Sequence, residues 1–230
     1  RQLCIRDRSR FGIMQNNIGL FLSKRAHLNP TMEALVDVAT GRRLNYRELD
    51  RCANKLANAM QDLGVAKGDR VAILMMNGVE YFESFTGLAK IGAVVVPLNW
   101  RLVSDELSYI IKDSGATTLI YGSDFSETVC DLYDRGSDGT DIANWVEFCE
   151  EGQEQDHFAS SYENLVNPAS ETSPEITAGD DDDLFIMYTS GTTGLPKGAL
   201  HTHNTMTLSL IHICRCRRIE RCRSRWSACH

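Results

Sequence analysis

The stretch YTSGTTGLPKG, residues 188–198, decides how this chain is interpreted, because five hydroxyl side chains, three glycines and a lysine directly follow the apolar run LFIM. Glycines permit positive φ, so the backbone N–H groups of such a loop can converge on one point. The hydroxyl groups add further donors, and Lys197 adds a positive charge. A strand over DLFIMYT (183–189) that leads into this loop predicts a binding site for a polyphosphate.

Two other interpretations of the loop fit its residues less well. A Walker A loop reads G-x-x-x-x-G-K-[ST], but the sixth position counted from Gly191 is Pro196. A plain linker is also rich in Ser, Thr and Gly, yet it has no need of a buried strand before it or of a rigid Pro-Lys-Gly exit. The sequence therefore predicts a phosphate loop of another kind.

A longer stretch around the loop, YTSGTTGLPKGALHTHN (188–204), resembles the signature of the adenylate-forming (AMP-binding) superfamily, which includes acyl-CoA synthetases, luciferases and peptide-synthetase adenylation domains. Three further segments resemble the same family in the same order: LNYRELD (44–50), GDRVAILMMNGVEYFESFTGLAKIGAVVVPLNWRL (68–102) and ELSYIIKDSGATTLIY (106–121). Most of residues 14–207 is covered. The resemblance implies a truncated N-terminal part of an AMP-binding domain, that is, the incomplete large N-terminal domain of an adenylate-forming enzyme.

The resemblance also assigns roles to particular residues. His203 matches the family's histidine that lines the acyl and adenylate pocket, which would make it catalytic; a helix-face histidine without a role is the alternative. No metal ligand is assigned in the chain. The residues implied to contact the ATP phosphates are Thr189, Ser190, Gly191, Thr192, Thr193, Gly194 and Lys197.

The activity that the resemblance implies is ATP-dependent activation of a carboxylic acid, either fatty or aryl, to an acyl-adenylate and then to an acyl-CoA thioester. ATP, Mg²⁺ and coenzyme A would be the cofactors, and a small-molecule carboxylic acid the partner. In-line attack on the α-phosphorus requires positioning and charge neutralisation, tasks that suit Lys197 and the loop amides. A luciferase-like or an amino-acid-adenylating enzyme is the alternative within the family. A non-catalytic nucleotide-binding or interaction protein is the alternative of another class.

The family's later motifs do not occur in residues 1–230. These are an aromatic-Gly-x-Thr-Glu segment, a Thr-Gly-Asp segment and the lysine of a small C-terminal domain. We therefore expect that a polypeptide ending at residue 230 would not catalyse adenylation by itself.

Both ends of the chain differ from its middle. LSLIHI (208–213) resembles the translation of a transposon-end adapter used in sequencing libraries, and RQLCIRDR (1–8) resembles the complementary adapter. We expect residues 1–8 and 208–230 to be non-native translated adapter, the latter disordered, with Met14 as a candidate start. Sequencing the transcript from a template prepared without tagmentation tests this expectation.

Setting these ends aside changes the arguments from charge and cysteine content. Nine of the 24 Lys and Arg but only two of the 31 Asp and Glu lie in the two ends, which leaves a net charge of −14 for the rest. This balance gives no support to nucleic-acid binding. The remaining cysteines, Cys52, Cys130 and Cys149, are an odd and scattered set that fits a reducing compartment.

Two clusters of potential metal ligands are not favoured as metal sites. GDDDD (179–183) lacks EF-hand spacing, and an acidic run before a buried strand is typically a solvated lead-in. The tail lacks paired C-x₂₋₄-C knuckles. A basic tail that binds metal or nucleic acid therefore depends on the tail being native, and its ligands would be Cys214, Cys216, Cys222, Cys229 and His230.

Hydrophobic periodicity predicts alternating helices and strands. A capping-box-like start at Asn45 precedes an apolar stripe that ends at Gly64, and a first helix is expected within 12–29. A helix is also expected after Gly198, and the strand that ends at Tyr188 is expected to lack sheet neighbours. Predicted strands at 70–76, 93–98, 117–122, 145–149 and 183–189 alternate with predicted helices at 78–91, 104–113, 125–134 and 158–166. This order predicts an α/β fold: a doubly wound, mostly parallel sheet with helices on both faces.

No apolar run approaches the roughly eighteen residues that a membrane span requires. No charged-then-apolar signal segment follows Met14. We therefore expect an intracellular protein, either cytoplasmic or in an organelle such as the mitochondrion or the peroxisome; the sequence leaves the oligomeric state open.

Overall fold

The computed structural model describes residues 17–38, 40–149, 152–189 and 195–216, with side chains up to residue 209. The helices in these ranges are α1 (Ile18–Leu28), α2 (Tyr46–Asp62), α3 (Val79–Ile91), α4 (Ser104–Ser114), α5 (Ser126–Asp134), α6 (Tyr162–Val166) and α7 (His203–Cys216). The strands are β1 (Glu33–Val36), β2 (Arg43–Asn45), β3 (Arg70–Leu74), β4 (Val94–Pro97), β5 (Thr118–Gly122), β6 (Asn144–Phe148), β7 (Ser160–Ser161), β8 (Asp183–Thr189) and β9 (Lys197–Thr202).

Seven strands form one sheet in the order β7-β6-β5-β3-β4-β8-β9, and every pairing in it is parallel except that of β8 with β9. Alternate residues of a strand face opposite sides of the sheet. Val71 and Ile73 join the core beneath α2 and α3, whereas Ala72 and Leu74 join the core beneath α4 and α5. Helices therefore cover both faces, and the predicted doubly wound α/β architecture is confirmed.

Helix α2 shows how local sequence produces these elements. The Asn45 side chain accepts a hydrogen bond from the Glu48 N–H (3.0 Å), and the Glu48 carboxylate accepts one from the Asn45 N–H (2.9 Å), which closes a capping box. The apolar stripe of α2 packs on α3 at Gly87, where an added Cβ would lie only 2.7 Å from the Ala53 carbonyl oxygen. After the helix, Gly64 adopts a φ of 95°, a conformation that favours glycine.

A buried ion pair joins the first three helices. Lys90 is fully buried, and its Nζ lies 2.6 Å from both Asp50 Oδ1 and Asn54 Oδ1. The Ser23 hydroxyl of α1 donates to the same Asp50 oxygen at 2.7 Å. Helix α1 comes close enough that a Cβ at Gly19 would lie 2.5 Å from Lys90 Cγ. Desolvation lowers the pKa of Lys90, and the Asp50 carboxylate opposes that effect.

The segment after α6 carries the chain back across α2 to the position beside β4. The Asn58 amide of α2 donates to the Ser170 carbonyl at 2.7 Å, and Lys67 donates to the Thr177 carbonyl at 3.1 Å. In the acidic run that precedes β8, the Asp182 carboxylate pairs with Lys67 at 2.8 Å. These polar contacts hold the segment against the domain, although the segment itself contains few apolar residues.

The structure corrects three expectations at the C-terminal side. Residues Lys197–Thr202 form β9 instead of a helix after Gly198, because they pair with β8 in an antiparallel ladder. Strand β8 therefore has neighbours on both sides, β4 and β9. Helix α7 continues to Cys216, so the beginning of the segment expected to be disordered is helical. Residues 217–230 and 1–16 lie outside the described residues, and the adapter origin of the ends stays a prediction.

Candidate functional site

The predicted phosphate loop is the tip of a β-hairpin. Strand β8 ends at Thr189, β9 begins at Lys197, and these two residues are paired directly across the ladder. Directly opposite residues point to the same face of a sheet, and both are exposed, so the hydroxyl and the ammonium group stand together at the open end. The other predicted phosphate contacts, Ser190, Gly191, Thr192, Thr193 and Gly194, lie outside the described residues.

The residue pair next to the hairpin tip has two features that sequence reasoning missed. Gly198 pairs with Tyr188, and an added Cβ at Gly198 would lie 2.7 Å from Ile186 Cγ2 and 3.0 Å from Tyr188 Cζ. The Tyr188 hydroxyl donates to Asp113 Oδ2 of α4 at 2.6 Å. The glycine therefore leaves room for the tyrosine ring, and the hydrogen bond attaches the end of β8 to α4. The small residue directly after Lys197 was a detectable sign of this close packing.

The position and the donors of the hairpin tip fit a polyphosphate. Strand β8 runs parallel to β4, so its end lies at the carboxyl edge of the parallel strands, where α/β sheets commonly bind ligands. Within the described part of the chain, Lys197 forms no ion pair, so its charge is not already neutralised there.

The described residues include no group of three or more His, Cys, Asp or Glu that could hold a metal ion. We therefore assign no Mg²⁺ ligand and no step through Mg²⁺ to these residues.

The structure does not bring His203 to the hairpin tip. The six residues from Lys197 to His203 run along β9, which at about 3.3 Å per residue separates them by about 20 Å. His203 instead begins α7 near Asp183, whose strand partner is Thr202. The predicted catalytic residue and the predicted phosphate contacts thus lie at opposite ends of one strand.

The environment of His203 is that of a buried packing residue. Its side chain is fully buried, its Nδ1 accepts a hydrogen bond from the Ile18 N–H at 3.0 Å, and its Nε2 has no partner among the described residues. Burial lowers the pKa of His203 to about 4, against opposing effects of Asp182 and Asp180. The imidazole is therefore neutral at physiological pH and caps the start of α1. His201, by contrast, stacks on Phe185 with ring centroids 4.5 Å apart.

The described cysteines do not form a reactive or metal-binding centre. Cys52, Cys130 and Cys149 are free thiols, and burial raises the pKa of Cys52 and of Cys149 to about 11. The side chains of the cysteine-rich tail lie outside the described residues. None of the helices in the described ranges is both long and apolar enough to cross a bilayer.

Comparison with protein families decides what kind of domain this is. The family model described as AMP-binding enzyme matches residues 22–229. The chain belongs to the AMP-binding enzyme family. This confirms the resemblance that the glycine-rich stretch indicated.

Individual members of the family resemble the chain over most of its length. Long-chain-fatty-acid–CoA ligase FadD13 from Mycobacterium tuberculosis is 40% identical over 190 residues, which are 83% of this chain and 36% of that protein. Feruloyl-CoA synthase from Amycolatopsis sp is 34% identical over 196 residues, 85% of this chain and 35% of that protein. The chain therefore spans about a third of the length of these curated relatives.

A solved structure supports the same placement. The inhibitor-bound N-terminal domain of FACL13 from Mycobacterium tuberculosis matches with a TM-score of 0.74 and 40% identity, covering 83% of this chain and 45% of that one. The fold described above is thus that of the N-terminal domain of an AMP-binding enzyme, in part.

Proposed function

We propose that the protein to which this chain belongs activates a carboxylic acid with ATP to an acyl-adenylate and then transfers the acyl group to coenzyme A. The observation that carries the proposal is the pairing of Thr189 with Lys197 at the carboxyl edge of the sheet, on either side of the Ser/Thr/Gly loop. This arrangement places a hydroxyl donor and an ammonium group where a polyphosphate needs them. Membership of the AMP-binding family makes ATP the natural source of that polyphosphate.

The names of the relatives support fatty or aryl acids as the substrate class. FadD13 is named a long-chain-fatty-acid–CoA ligase, and the Amycolatopsis protein is named a feruloyl-CoA synthase. Both names describe the ligation of an acid to coenzyme A. We propose the same acid–thiol ligation, with coenzyme A as the acyl acceptor, for the present protein.

In the proposed reaction ATP supplies the α-phosphorus that the substrate carboxylate attacks and the pyrophosphate that leaves. Lys197 stabilises the negative charge on the phosphates through its ammonium group, and Thr189 donates a hydrogen bond from the paired strand. Tyr188 contributes indirectly, because its hydrogen bond to Asp113 holds the end of β8 in position. We assign no proton transfer to His203, whose imidazole lies at the far end of β9.

The proposal is tested in the complete protein with Lys197→Ala, by measuring carboxylate-dependent release of pyrophosphate and the affinity for ATP. We expect kcat/KM for ATP to fall by about 10²-fold, the typical effect of removing one charge-stabilising donor. Lys24→Ala is the matched control, since Lys24 lies over the Phe21 ring in α1 and away from the hairpin. Unchanged ATP affinity and turnover in Lys197→Ala would refute the proposed role. The same assay on residues 1–230 alone tests the expectation that the fragment is inactive.

A further inference from the structure

A cavity lies far from the hairpin tip, between α2, α3 and α6. Its volume is about 540 Å³, within the range of about 300–1,000 Å³ that small-ligand sites occupy. Phe148 of β6 lines it, and β6 is four strands away from β8, a distance of about 19 Å across the sheet. Leu44 and Val166 add apolar walls. The cavity is therefore separate from the proposed phosphate site.

A buried carboxyl group with one unsatisfied oxygen lines this cavity. Glu83 is 4% exposed, and its Oε1 accepts a hydrogen bond from the Tyr162 hydroxyl at 2.6 Å. Its Oε2 is buried without a hydrogen-bond partner among the described residues. The Cys52 thiol lies beside the carboxyl group, but S–H is a weak donor and carries no charge. Burial raises the pKa of Glu83, although the Tyr162 hydrogen bond and the charge of Arg42 oppose that effect.

The cations around the cavity are already engaged elsewhere. Arg42 pairs with Glu80 at 2.8 Å, and both Arg51 (3.7 Å) and Lys55 (3.5 Å) pair with Glu171. Five glutamates and only three basic residues line the cavity, which gives the lining a net formal charge of −2. A buried carboxylate is costly unless it is paired, so the missing complement at Glu83 is a cation that carries its own hydrogen-bond donors.

We propose that this cavity binds a small organic amine, whose ammonium group donates to Glu83 Oε2 while its short apolar body packs on Phe148, Leu44 and Val166. An ammonium ion offers three donors in a compact group and so suits a carboxylate oxygen that lacks a hydrogen-bond donor. The apolar walls favour an alkyl or aryl body over a fully hydrated metal ion. The proposal is independent of the reaction at the hairpin tip.

The test is a ligand-observed NMR titration of the complete protein at constant ionic strength. The probe is butylammonium chloride, and n-butanol is the neutral probe of the same chain length. Glu83→Gln keeps the size of the side chain and an oxygen acceptor for Tyr162, but it removes the charge. Glu163→Gln makes the same change of charge at another residue that lines the cavity. Glu83→Asp is the second variant, which withdraws the carboxylate by one methylene if Glu83→Gln does not fold.

We expect saturable binding of butylammonium to the wild type, about tenfold weaker binding to Glu83→Gln or Glu83→Asp, and binding within about twofold of wild type in Glu163→Gln. The neutral alcohol should bind at least about tenfold more weakly than the amine. The proposal is overturned if butylammonium binding does not saturate, if the alcohol binds equally well, or if the Glu83 variants bind like the wild type. It is also overturned if Glu83→Gln and Glu163→Gln weaken binding equally.

Discussion

The ion pair of Lys90 offers the sharpest test of how the N-terminal helices are held together. Replacing Lys90 by Met keeps most of the side-chain volume against Gly19 but removes the charge and both hydrogen bonds of 2.6 Å. Because Lys90 is completely buried, water cannot take the place of the ammonium group. The Asp50 carboxylate, 17% exposed, then keeps only the Ser23 hydroxyl as a hydrogen-bond donor among the contacts described above.

The expected loss of stability follows from the burial of Lys90 and Asp50. Removing one partner of a buried pair costs about 3–5 kcal/mol, and the partial exposure of Asp50 places this case at about 3 kcal/mol. Adding Asp50→Asn to Lys90→Met should recover at least about 1 kcal/mol, because no unpaired charge is then left. The two substitutions are therefore expected to be strongly non-additive.

Urea unfolding of the complete protein, followed by circular dichroism, measures these free energies. Lys112→Met is the matched control, since Lys112 is exposed and its Nζ donates only to the Asp138 carbonyl at 2.8 Å; its loss should cost less than about 1 kcal/mol. The reasoning fails if Lys90→Met lowers the free energy of unfolding no more than Lys112→Met does. It also fails if adding Asp50→Asn to Lys90→Met recovers no stability. In either case the pair is not desolvated as described.

Three further predictions concern the helix contact, the buried histidine and Tyr188 beside the hairpin tip. Gly87→Ala should lower the free energy of unfolding by about 1–3 kcal/mol despite the better helix propensity of alanine, because the new Cβ meets the Ala53 carbonyl oxygen at 2.7 Å; a more stable variant in urea unfolding would contradict this contact. His203, whose pKa falls from 6.5 to about 4 on folding, should reduce the free energy of unfolding by about 3 kcal/mol as the pH falls from 6.5 to 4, because the unfolded chain binds a proton that the folded state excludes. His203→Asn should lack this component, and superimposable pH profiles for the two proteins would rule it out. Tyr188→Phe should raise KM for ATP several-fold, by about 3- to 10-fold, because the hydrogen bond to Asp113 is lost; Asp113→Asn keeps an acceptor and should change KM less, whereas an unchanged KM in Tyr188→Phe would show that this bond does not position the loop.

Local sequence patterns predicted α2 to α6 and the strands β3, β4, β5, β6 and β8, but they did not predict β1, β2, β7 or β9. The capping box at Asn45 and the apolar stripe behind it are visible in the sequence, and α2 follows them closely. The order of the strands in the sheet, by contrast, does not have a local cause. The placement of β8 beside β4 depends on contacts between residues far apart in the chain, which no periodicity reports.

The distance between Lys197 and His203 depends on which element the residues between them form. Six residues span about 9 Å in a helix but about 20 Å in a strand. A helix after Gly198 would have kept His203 near Lys197, whereas β9 carries it to the other end of the sheet. The exposed, weakly alternating residues of β9 give little sign of a strand until β8 is available as a partner.

The two buried charges of α3 could have been noticed in the sequence. Glu83, Gly87 and Lys90 are spaced i, i+4 and i+7, so they lie on one face of a helix. A glycine between two charged residues on such a face is a sign of close helix contact, and here Gly87 touches α2. Which groups satisfy the two charges still depends on the neighbouring helices, and the sequence does not supply that information.

The place of β8 in the sheet also has a consequence for biosynthesis. Some 85 residues separate the end of β4 from the start of β8, so the ribosome needs roughly 4 to 17 s to make them at about 5–20 residues per second. During that interval the nascent chain exposes the unpaired edge of β4, with its valines, to other nascent chains of the same polysome. The newborn protein is therefore most prone to cross-pairing just before Asp183–Thr189 emerges, and a chaperone that shields this edge would act in that window.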